Sequence, residues 1–171
     1  MIIRTRTKPL EDIDLDAFNT EDVNILDIAY GLSNIARFGG QVPFFSVAEH
    51  SVLVLRRLEN DCRPSKAERL QALLHDAVEA FIGDLIRPIK RENPAFQDLE
   101  ESLLKTVFQR FELPTMMFNL VRSADDDQNA EEMRFFFTYS DYYLPPPVCP
   151  KCLPPDAARL LFLEEFVRLT Q

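Results

Sequence analysis

Apolar residues recur at helical spacing along most of this chain, and breakers divide the pattern into separate stretches. Only four of its 171 residues are glycine, fewer than the tight turns of a β-sheet protein usually require. Both features predict an all-α fold, a single compact bundle of about six or seven helices. The predicted helices cover residues 21–38, 47–60, 66–82, 94–111, 114–140 and 157–170.

The length of the chain suits one domain with its own hydrophobic core, so residues 1–171 are predicted to form a single domain. Residues 1–20 are predicted to form a short irregular or hairpin arm. Residues 143–155 contain six of the twelve prolines, which predicts a loop before the last helix. Asp156 is predicted to cap that helix.

The charge of the chain limits its partners. A formal net charge of −9 disfavours nucleic-acid polymers and anionic membrane surfaces, and an anionic substrate needs local cations or a metal. No apolar run approaches the length of a membrane span, and the N-terminus lacks a secretory pattern. The three cysteines are an odd number, so reduced thiols in a cytoplasmic protein are predicted.

Two of the cysteines, Cys149 and Cys152, form a CxxC pair. Such a pair can be half of a zinc site or a redox pair. No second CxxC accompanies it, and Cys62 is the one remaining thiol. A structural or incidental role in a surface loop is therefore the favoured interpretation.

One predicted helix carries an unusual group of polar side chains, in the stretch ALLHDAVEAFIGD at residues 72–84. On a helical wheel His75, Asp76 and Glu79 fall within an arc of about 100°, opposite a leucine-rich face. Imidazole and carboxylate groups together are ligands for a divalent transition metal. The alternative is an ordinary exposed face, but such faces are usually rich in lysine, glutamate, glutamine and arginine.

The other histidine of the chain, His50, lies in the stretch FSVAEHSVLVL. Val47, Leu53 and Val54 share its side of the predicted helix, so His50 points towards an apolar face. Taken alone, His50 fits a core histidine bonded to a carbonyl group. The alternative is that His50 and His75 face each other across a helix pair and share one ion, which uses both histidines of the chain in one site.

The stretches AEHSV, LLHDAVEAFIGD and SAD followed by EEMR resemble the HD-domain metal-dependent phosphohydrolases. The stretch ARFGGQVPFFSVAEHS is similar to that of their small phage and bacterial members. The resemblance implies helices arranged around one metal. The metal ligands that the resemblance implies are His50, His75, Asp76 and Asp125. Asp126 is the alternative to Asp125 as the fourth ligand, whereas Asp127 fits a solvated acidic turn.

The same resemblance implies roles for five further residues. Glu79 matches the catalytic acid or base, and Asp84 matches a second acidic position near the site, although it also fits a helix cap. Arg37 matches an arginine that meets the substrate phosphate in small 5′-deoxynucleotidases. Phe38 stands where those enzymes have a tryptophan. Lys90 matches a lysine near the pocket mouth, and a solvated surface lysine is an equally good interpretation.

The resemblance implies one divalent transition metal, Mn, Co, Zn, Fe or Ni rather than Mg, and leaves open a second ion near Glu79 and Asp84. The implied reaction is the release of phosphate from (deoxy)nucleoside 5′-monophosphates by a metal-activated water. The alternatives are a triphosphohydrolase for deoxynucleoside triphosphates such as dATP, and a catalytically silent nucleotide-binding or sensor module. Because Phe135, Phe136 and Phe137 cannot all face one core, and because small members commonly assemble, a homo-oligomer (dimer or larger) is predicted.

Overall fold

Helices dominate the computed structural model, which describes residues 1–9, 11–138 and 148–171. β1 (Ile2–Ile3) and β2 (Ile13–Asp14) pair antiparallel in the N-terminal arm. The all-α fold and the short arm predicted from the sequence are confirmed. In the described part of the chain, no helix combines the length and the apolar character required to span a membrane. The helices are α1 Ile25–Asn34, α2 Val47–Asp61, α3 Lys66–Leu74, α4 Glu79–Ile82, α5 Arg87–Arg91, α6 Pro94–Arg110, α7 Asn119–Phe137 and α8 Pro155–Thr170.

Helix α2 lies at the centre of the bundle and packs against α1, α3, α7 and α8. Every residue from position 47 to position 55 is buried, polar residues included. This part of α2 has no solvent face, so a polar or charged residue on it must find its partners inside the protein. This requirement applies to Glu49 and His50, which are 2% and 0% exposed.

The helix predicted over residues 66–82 is divided in the structure. α3 ends at Leu74 and α4 begins at Glu79. Between them the backbone tightens, because the N–H groups of Ala77 and Glu79 each donate to a carbonyl three residues earlier, at 3.0 Å. Such bonds belong to a 3₁₀ turn. The prediction of one continuous helix was wrong, because side-chain periodicity does not distinguish this bonding from that of an α-helix.

The start of α7 is set by a side chain from another helix. Buried Gln71 on α3 accepts a hydrogen bond from the backbone N–H of Phe118 at 2.6 Å. Its amide group donates to the carbonyl oxygens of Pro114 and Met116, at 3.0 and 3.1 Å. These bonds hold the backbone before α7 in an irregular path. The helix therefore begins at Asn119, and the predicted start at residue 114 was wrong.

Other predicted boundaries differ by smaller amounts. α1 begins at Ile25, because the side chain of Asn24 caps it, rather than at residue 21. α8 begins at Pro155, so Asp156 lies in its first turn and is not its cap. Residues 148–154 of the predicted proline-rich loop form neither helix nor strand, whereas its residues 143–147 lie outside the described residues. The same holds for residues 139 and 140 of the predicted helix 114–140.

Helices α1 and α4 cross so closely that a side chain does not fit at the crossing. A Cβ atom at Gly31 would lie 2.7 Å from the Cβ atom of Ala80 and 2.8 Å from its Cα atom. Real Cβ contacts are longer than this, so the two helices would have to separate. Because Ala80 directly follows Glu79, the crossing also fixes where Glu79 stands in the bundle.

We expect Gly31→Ala to destabilise the protein by about 1–3 kcal/mol, the usual cost of overpacking. At an exposed helical position the same change usually stabilises by roughly 1 kcal/mol, because alanine is the better helix former. Urea unfolding measures the difference. Adding Ala80→Gly should recover part of the loss, since it removes the nearest overlapping atom. An unchanged or higher stability of Gly31→Ala would contradict the close crossing.

Candidate metal centre

The two histidines and two aspartates come together from three parts of the chain. His50 extends from α2, His75 and Asp76 belong to the tight turn after α3, and Asp125 extends from α7. Nε2 of His50 lies 3.1 Å from Oδ1 of Asp125 and 3.8 Å from Oδ2 of Asp76. Nε2 of His75 lies 3.2 Å from the same Asp76 oxygen and 3.6 Å from the same Asp125 oxygen.

These separations are close to those of donor atoms around a single ion. Two donors about 2.1 Å from a cation, seen at adjacent coordination angles, lie roughly 3.0–3.4 Å from each other. One donor atom from each of His50, His75 and Asp76 lies within 4.8 Å of the other two. These three residues could therefore hold a metal ion. Oδ1 of Asp125, against both histidines, is the candidate fourth donor.

The hydrogen bonding of His75 leaves one ring nitrogen for a cation. Its Nδ1 lies 2.8 Å from the carbonyl oxygen of Ala72, which can only accept, so Nδ1 carries hydrogen. Its Nε2 is buried and has no well-formed hydrogen bond to any described residue. An unsatisfied buried polar atom is costly. A cation at the cluster would satisfy it, so these residues fit a metal.

Burial and neighbouring charge set the protonation of the cluster. Burial raises the pKa values of Asp76 and Asp125, but the two histidines lower them by a larger amount. The pKa values of both carboxyl groups therefore lie well below their usual range. Burial lowers the pKa of His75, yet Asp76 and Asp125 raise it to well above its usual value. A metal ion competes with that proton for His75, so its affinity should rise with pH.

The adjacent aspartates of α7 have different surroundings. Oδ2 of Asp125 accepts a hydrogen bond from Nη2 of Arg87 at 2.8 Å. Asp126, whose side chain is 70% exposed, accepts from Nη1 of Arg87 at 2.9 Å. Of the two, Asp125 is the one placed against the histidines. The choice of Asp125 as a ligand, with Asp126 as the alternative, stays a prediction that this geometry favours.

Glu79 lies beside the cluster and is 2% exposed. Its Oε1 is 3.5 Å from Nζ of Lys90, which also donates to Glu100 at 2.6 Å. Burial, followed by the charges of Asp76 and Asp84, raises the pKa of Glu79 well above its usual value. A carboxyl group with a raised pKa is suited to donate a proton to a departing oxygen.

The carboxylates of the cluster face a cavity of about 420 Å³, which lies in the usual size range of small-molecule sites. The predicted substrate residues Arg37, Phe38 and Lys90 all line it. Asp84 lines it too, and burial raises the pKa of its carboxyl group. The cavity therefore joins acidic groups at the cluster to several cations. The cations along its wall are Arg37, Arg87, Lys90 and Arg122.

Arg37 is held on several sides and is 8% exposed. Its Nη2 donates to Oδ1 of Asn129 at 3.1 Å, and its Nε lies 3.3 Å from Oε2 of Glu132. Its Nη1 lies 3.7 Å from Oδ2 of Asp76. Burial lowers the pKa of Arg37, but Glu132 and Asp76 raise it, so the guanidinium stays charged. A fixed guanidinium suits the geometry of a phosphate group.

Phe38 enters the cavity wall through a left-handed turn. Its φ is 55°, and those of Gly39 and Gly40 are 60° and 72°. Glycine adopts such angles without strain, whereas phenylalanine does not. The turn places the Phe38 ring against Phe136 and Phe137, with centroids 5.8 and 5.7 Å apart. Phe137 is 45% exposed.

A second buried carboxylate fixes the stretch that contains the CxxC pair. Glu49 precedes His50 and accepts the backbone N–H groups of Lys151 and Leu153, at 2.6 and 2.8 Å. Cys149 and Cys152 are free thiols and partly buried. These two bonds form a clamp that ties this stretch to α2, which gives it a structural task.

Four contributors to the site were not predicted. Asn129 and Glu132 follow Asp125 by four and seven residues on α7, a spacing that places all three on one helix face. Arg122 precedes Asp125 by three residues, so the same spacing points to it. These residues could have been found from the sequence once Asp125 was chosen. Arg87 could not, because no pattern in the sequence brings it against Asp125 and Asp126, 38 and 39 residues later.

Comparisons with known proteins give two uncharacterized relatives, and no family model matches the chain. The protein is 37% identical over 120 residues to "Uncharacterized protein YfdR" of Escherichia coli (strain K12). It is 42% identical over 102 residues to an uncharacterized protein of Rhodobacter capsulatus. The matches cover 70% and 56% of this chain. The chain spans 64% and 52% of the lengths of these relatives.

The neighbouring aspartates provide a matched test of the ligand set. We expect Asp125→Asn to weaken Mn²⁺ binding by about a hundredfold, since it removes a charged donor from the cluster. Asp126→Asn removes the same charge one residue away and should change the affinity by about threefold at most, as an exposed charge would. Isothermal titration calorimetry on chelator-treated protein measures both. Equal losses in the two variants would be incompatible with Asp125 as the ligand.

Glu79 should cost the protein stability at neutral pH. Because its pKa is raised in the folded state, the native protein binds more protons than the unfolded chain between the two pKa values. Stability therefore falls as pH rises through that window. We expect Glu79→Gln to remove this decline and to raise the free energy of unfolding at pH 7.5 by at least about 1 kcal/mol.

Urea unfolding between pH 5 and pH 8, with a chelator present, measures this effect. Glu101→Gln is the control, because the side chain of Glu101 is 67% exposed and lies outside the cavity. A Glu79→Gln variant as pH-dependent as the wild type would show that Glu79 is charged in the folded state.

Proposed function

We propose that the protein is a metal-dependent phosphohydrolase that acts on nucleotides. The observation that carries this proposal is the convergence of two histidines with two aspartates that line a cavity, which cationic side chains line as well. Metal donors and anion-binding groups within one space are what hydrolysis of a phosphate ester requires. A cluster without cations would suit a structural metal, and cations without the cluster would suit anion binding alone.

The metal ligands in this proposal are His50, His75, Asp76 and Asp125. Two imidazoles and two carboxylates suit Mn, Co, Zn, Fe or Ni better than Mg, which prefers oxygen ligands and retains its waters. When bound, such an ion lowers the pKa of a water molecule and offsets negative charge on the phosphate. The proposal leaves the number of ions open at one or two, with the second ion near Glu79 and Asp84.

Glu79 supplies the proton transfer in this proposal. It stands three residues after Asp76, burial raises its pKa, and Lys90 lies 3.5 Å from its Oε1. In its protonated form it can donate to the ester oxygen that leaves the phosphorus. In its ionised form it can accept a proton from the attacking water. Asp84 borders the same cavity and raises the pKa of Glu79 by its charge.

The remaining proposed roles concern substrate binding. Arg37 binds phosphate oxygens, since its position is fixed by Asn129 and Glu132 before any substrate arrives. Lys90 lines the same cavity and adds positive charge. Phe38 offers an aromatic face for a base or sugar. These cations are needed because the field of a protein with a formal net charge of −9 opposes an anionic substrate.

The substrates that we propose are (deoxy)nucleoside 5′-monophosphates, which need one phosphate position beside the cluster. A deoxynucleoside triphosphate such as dATP is the second candidate, because Arg87 and Arg122 place additional positive charge along the same wall. A nucleotide sensor without catalysis is the third. It is disfavoured because binding alone gives no reason to bury Glu79 at such a cost.

The test is phosphate, pyrophosphate and triphosphate release from a panel of deoxynucleoside mono- and triphosphates. Chelator-treated protein is assayed with Mn²⁺, Co²⁺, Zn²⁺ or Mg²⁺ restored. We expect metal-dependent release that falls by about a hundredfold or more in Glu79→Gln, as removal of a general acid or base usually does. The identity of the product separates the monophosphatase from the triphosphohydrolase.

Asp127→Asn is the matched control, because Asp127 is exposed on α7 and does not line the cavity. Its activity should equal that of the wild type. If no metal supports release while nucleotide still binds, the enzyme proposal fails and the sensor remains.

A further inference from the structure

One completely buried carboxylate touches both a candidate metal ligand and the candidate phosphate arginine. Glu132 on α7 is 0% exposed. Its Oε1 lies 2.8 Å from Nδ1 of His50, and its Oε2 lies 3.3 Å from Nε of Arg37. The two functions, cation binding and anion binding, therefore meet on the two oxygens of one side chain.

Two successive hydrogen bonds, from Arg57 to Gln128 and from Gln128 to Glu132, fix the orientation of the Glu132 side chain. Nε of Arg57 donates to Oε1 of Gln128 at 3.0 Å. Because arginine can only donate, the oxygen of Gln128 must face Arg57, and its NH₂ group must face the other way. That NH₂ group donates to Oε1 of Glu132 at 3.1 Å. Arg57, Gln128 and Glu132 thus form a relay, in which Gln128 and Glu132 are 0% exposed and Arg57 is half-buried.

The relay determines which nitrogen of His50 is free. The carboxylate oxygen that faces His50 already accepts from Gln128, and an ionised carboxylate has no hydrogen to give. Nδ1 of His50 therefore donates to Glu132. In the neutral ring this leaves the lone pair on Nε2, which faces Asp125 at 3.1 Å. A histidine backed by a carboxylate in this manner is a more basic and better oriented metal ligand.

We propose that Glu132 is a positioning residue that orients His50 for a cation and Arg37 for a phosphate at once, with Gln128 holding Glu132 in place. The inference rests on the proposed function and deepens it, because it makes metal binding and phosphate binding depend on one carboxylate. Glu132 itself touches neither the metal nor the substrate in this account.

The test measures binding rather than turnover. Affinities for Mn²⁺ and for orthophosphate are determined by calorimetry on the full chain, for the wild type, Glu132→Gln and Gln128→Leu. We expect Glu132→Gln to weaken Mn²⁺ binding by about tenfold or more, as loss of a partner behind a histidine ligand usually does. It should weaken orthophosphate binding as well, because Arg37 loses its nearest carboxylate. Gln128→Leu should weaken Mn²⁺ binding in the same direction by a smaller factor.

The matched control is Asp127→Asn, which removes one negative charge from the exposed face of the same helix. It should leave both affinities within about twofold of the wild type, as expected for a screened surface charge. Thermal melts establish that each variant is folded. If Glu132→Gln does not fold, Gln128→Leu decides, since it leaves every charged group in place.

Three results would overturn the proposal. They are a folded Glu132→Gln with wild-type Mn²⁺ affinity, an equal loss in Asp127→Asn, and an unchanged affinity in Gln128→Leu when Glu132→Gln is unfolded. A wild-type protein that binds Mn²⁺ and phosphate but hydrolyses no nucleotide defeats the proposed function alone. In that case the affinities of the variants still decide the role of Glu132.

Discussion

Charge removed from water at the centre of the bundle governs this structure. Residues 47–55 of α2 are all buried, yet they include Glu49 and His50, and α7 adds Glu132 from the facing side. A buried charge costs several kcal/mol unless partners replace its lost hydration. Each of these groups has such partners: backbone N–H groups for Glu49, and a histidine, an arginine and a glutamine for Glu132. The fold is therefore as much an arrangement of paired charges as of apolar faces.

Such pairing seldom maximises stability, because well-packed apolar residues can often replace a buried ion pair at no loss. Glu79 makes the point most clearly, since Oε2 of this buried side chain has no hydrogen-bond partner among the described residues. Burial of the apolar core, which includes residues of α1, α3 and α8, offsets this loss of stability. In exchange for this lost stability the site is preorganised, because groups that are already oriented need no rearrangement when a ligand binds.

The sequence predicted the fold and the grouping of two histidines with two aspartates better than it predicted the residues that line the cavity. α2 and α6 were placed within about one residue of their ends, because each begins at a local signal, Ser46 for one and Asn93-Pro94 for the other. The start of α7 was missed because it depends on Gln71, which is distant in the sequence. Arg87 was missed for a similar reason: it lies on a five-residue helix, and its partners Asp125 and Asp126 are 38 and 39 residues later in the chain. Local patterns carry information about caps and faces, whereas contacts between distant segments appear only in three dimensions.

The clamp on Glu49 has a consequence for the order in which the protein can be assembled. His50 finds its partners 75 and 82 residues later in the chain, and Glu49 finds its own 102 and 104 residues later. Until residues 151–153 dock, a carboxylate next to His50 would be enclosed without a donor. A nascent chain that has emerged only as far as α7 thus has every candidate ligand but an incomplete interior. Contacts of such long range close slowly, because loop entropy must be overcome before they form. We infer that the centre is among the last parts of the molecule to mature, since its completion requires residues 151–153 to dock against Glu49.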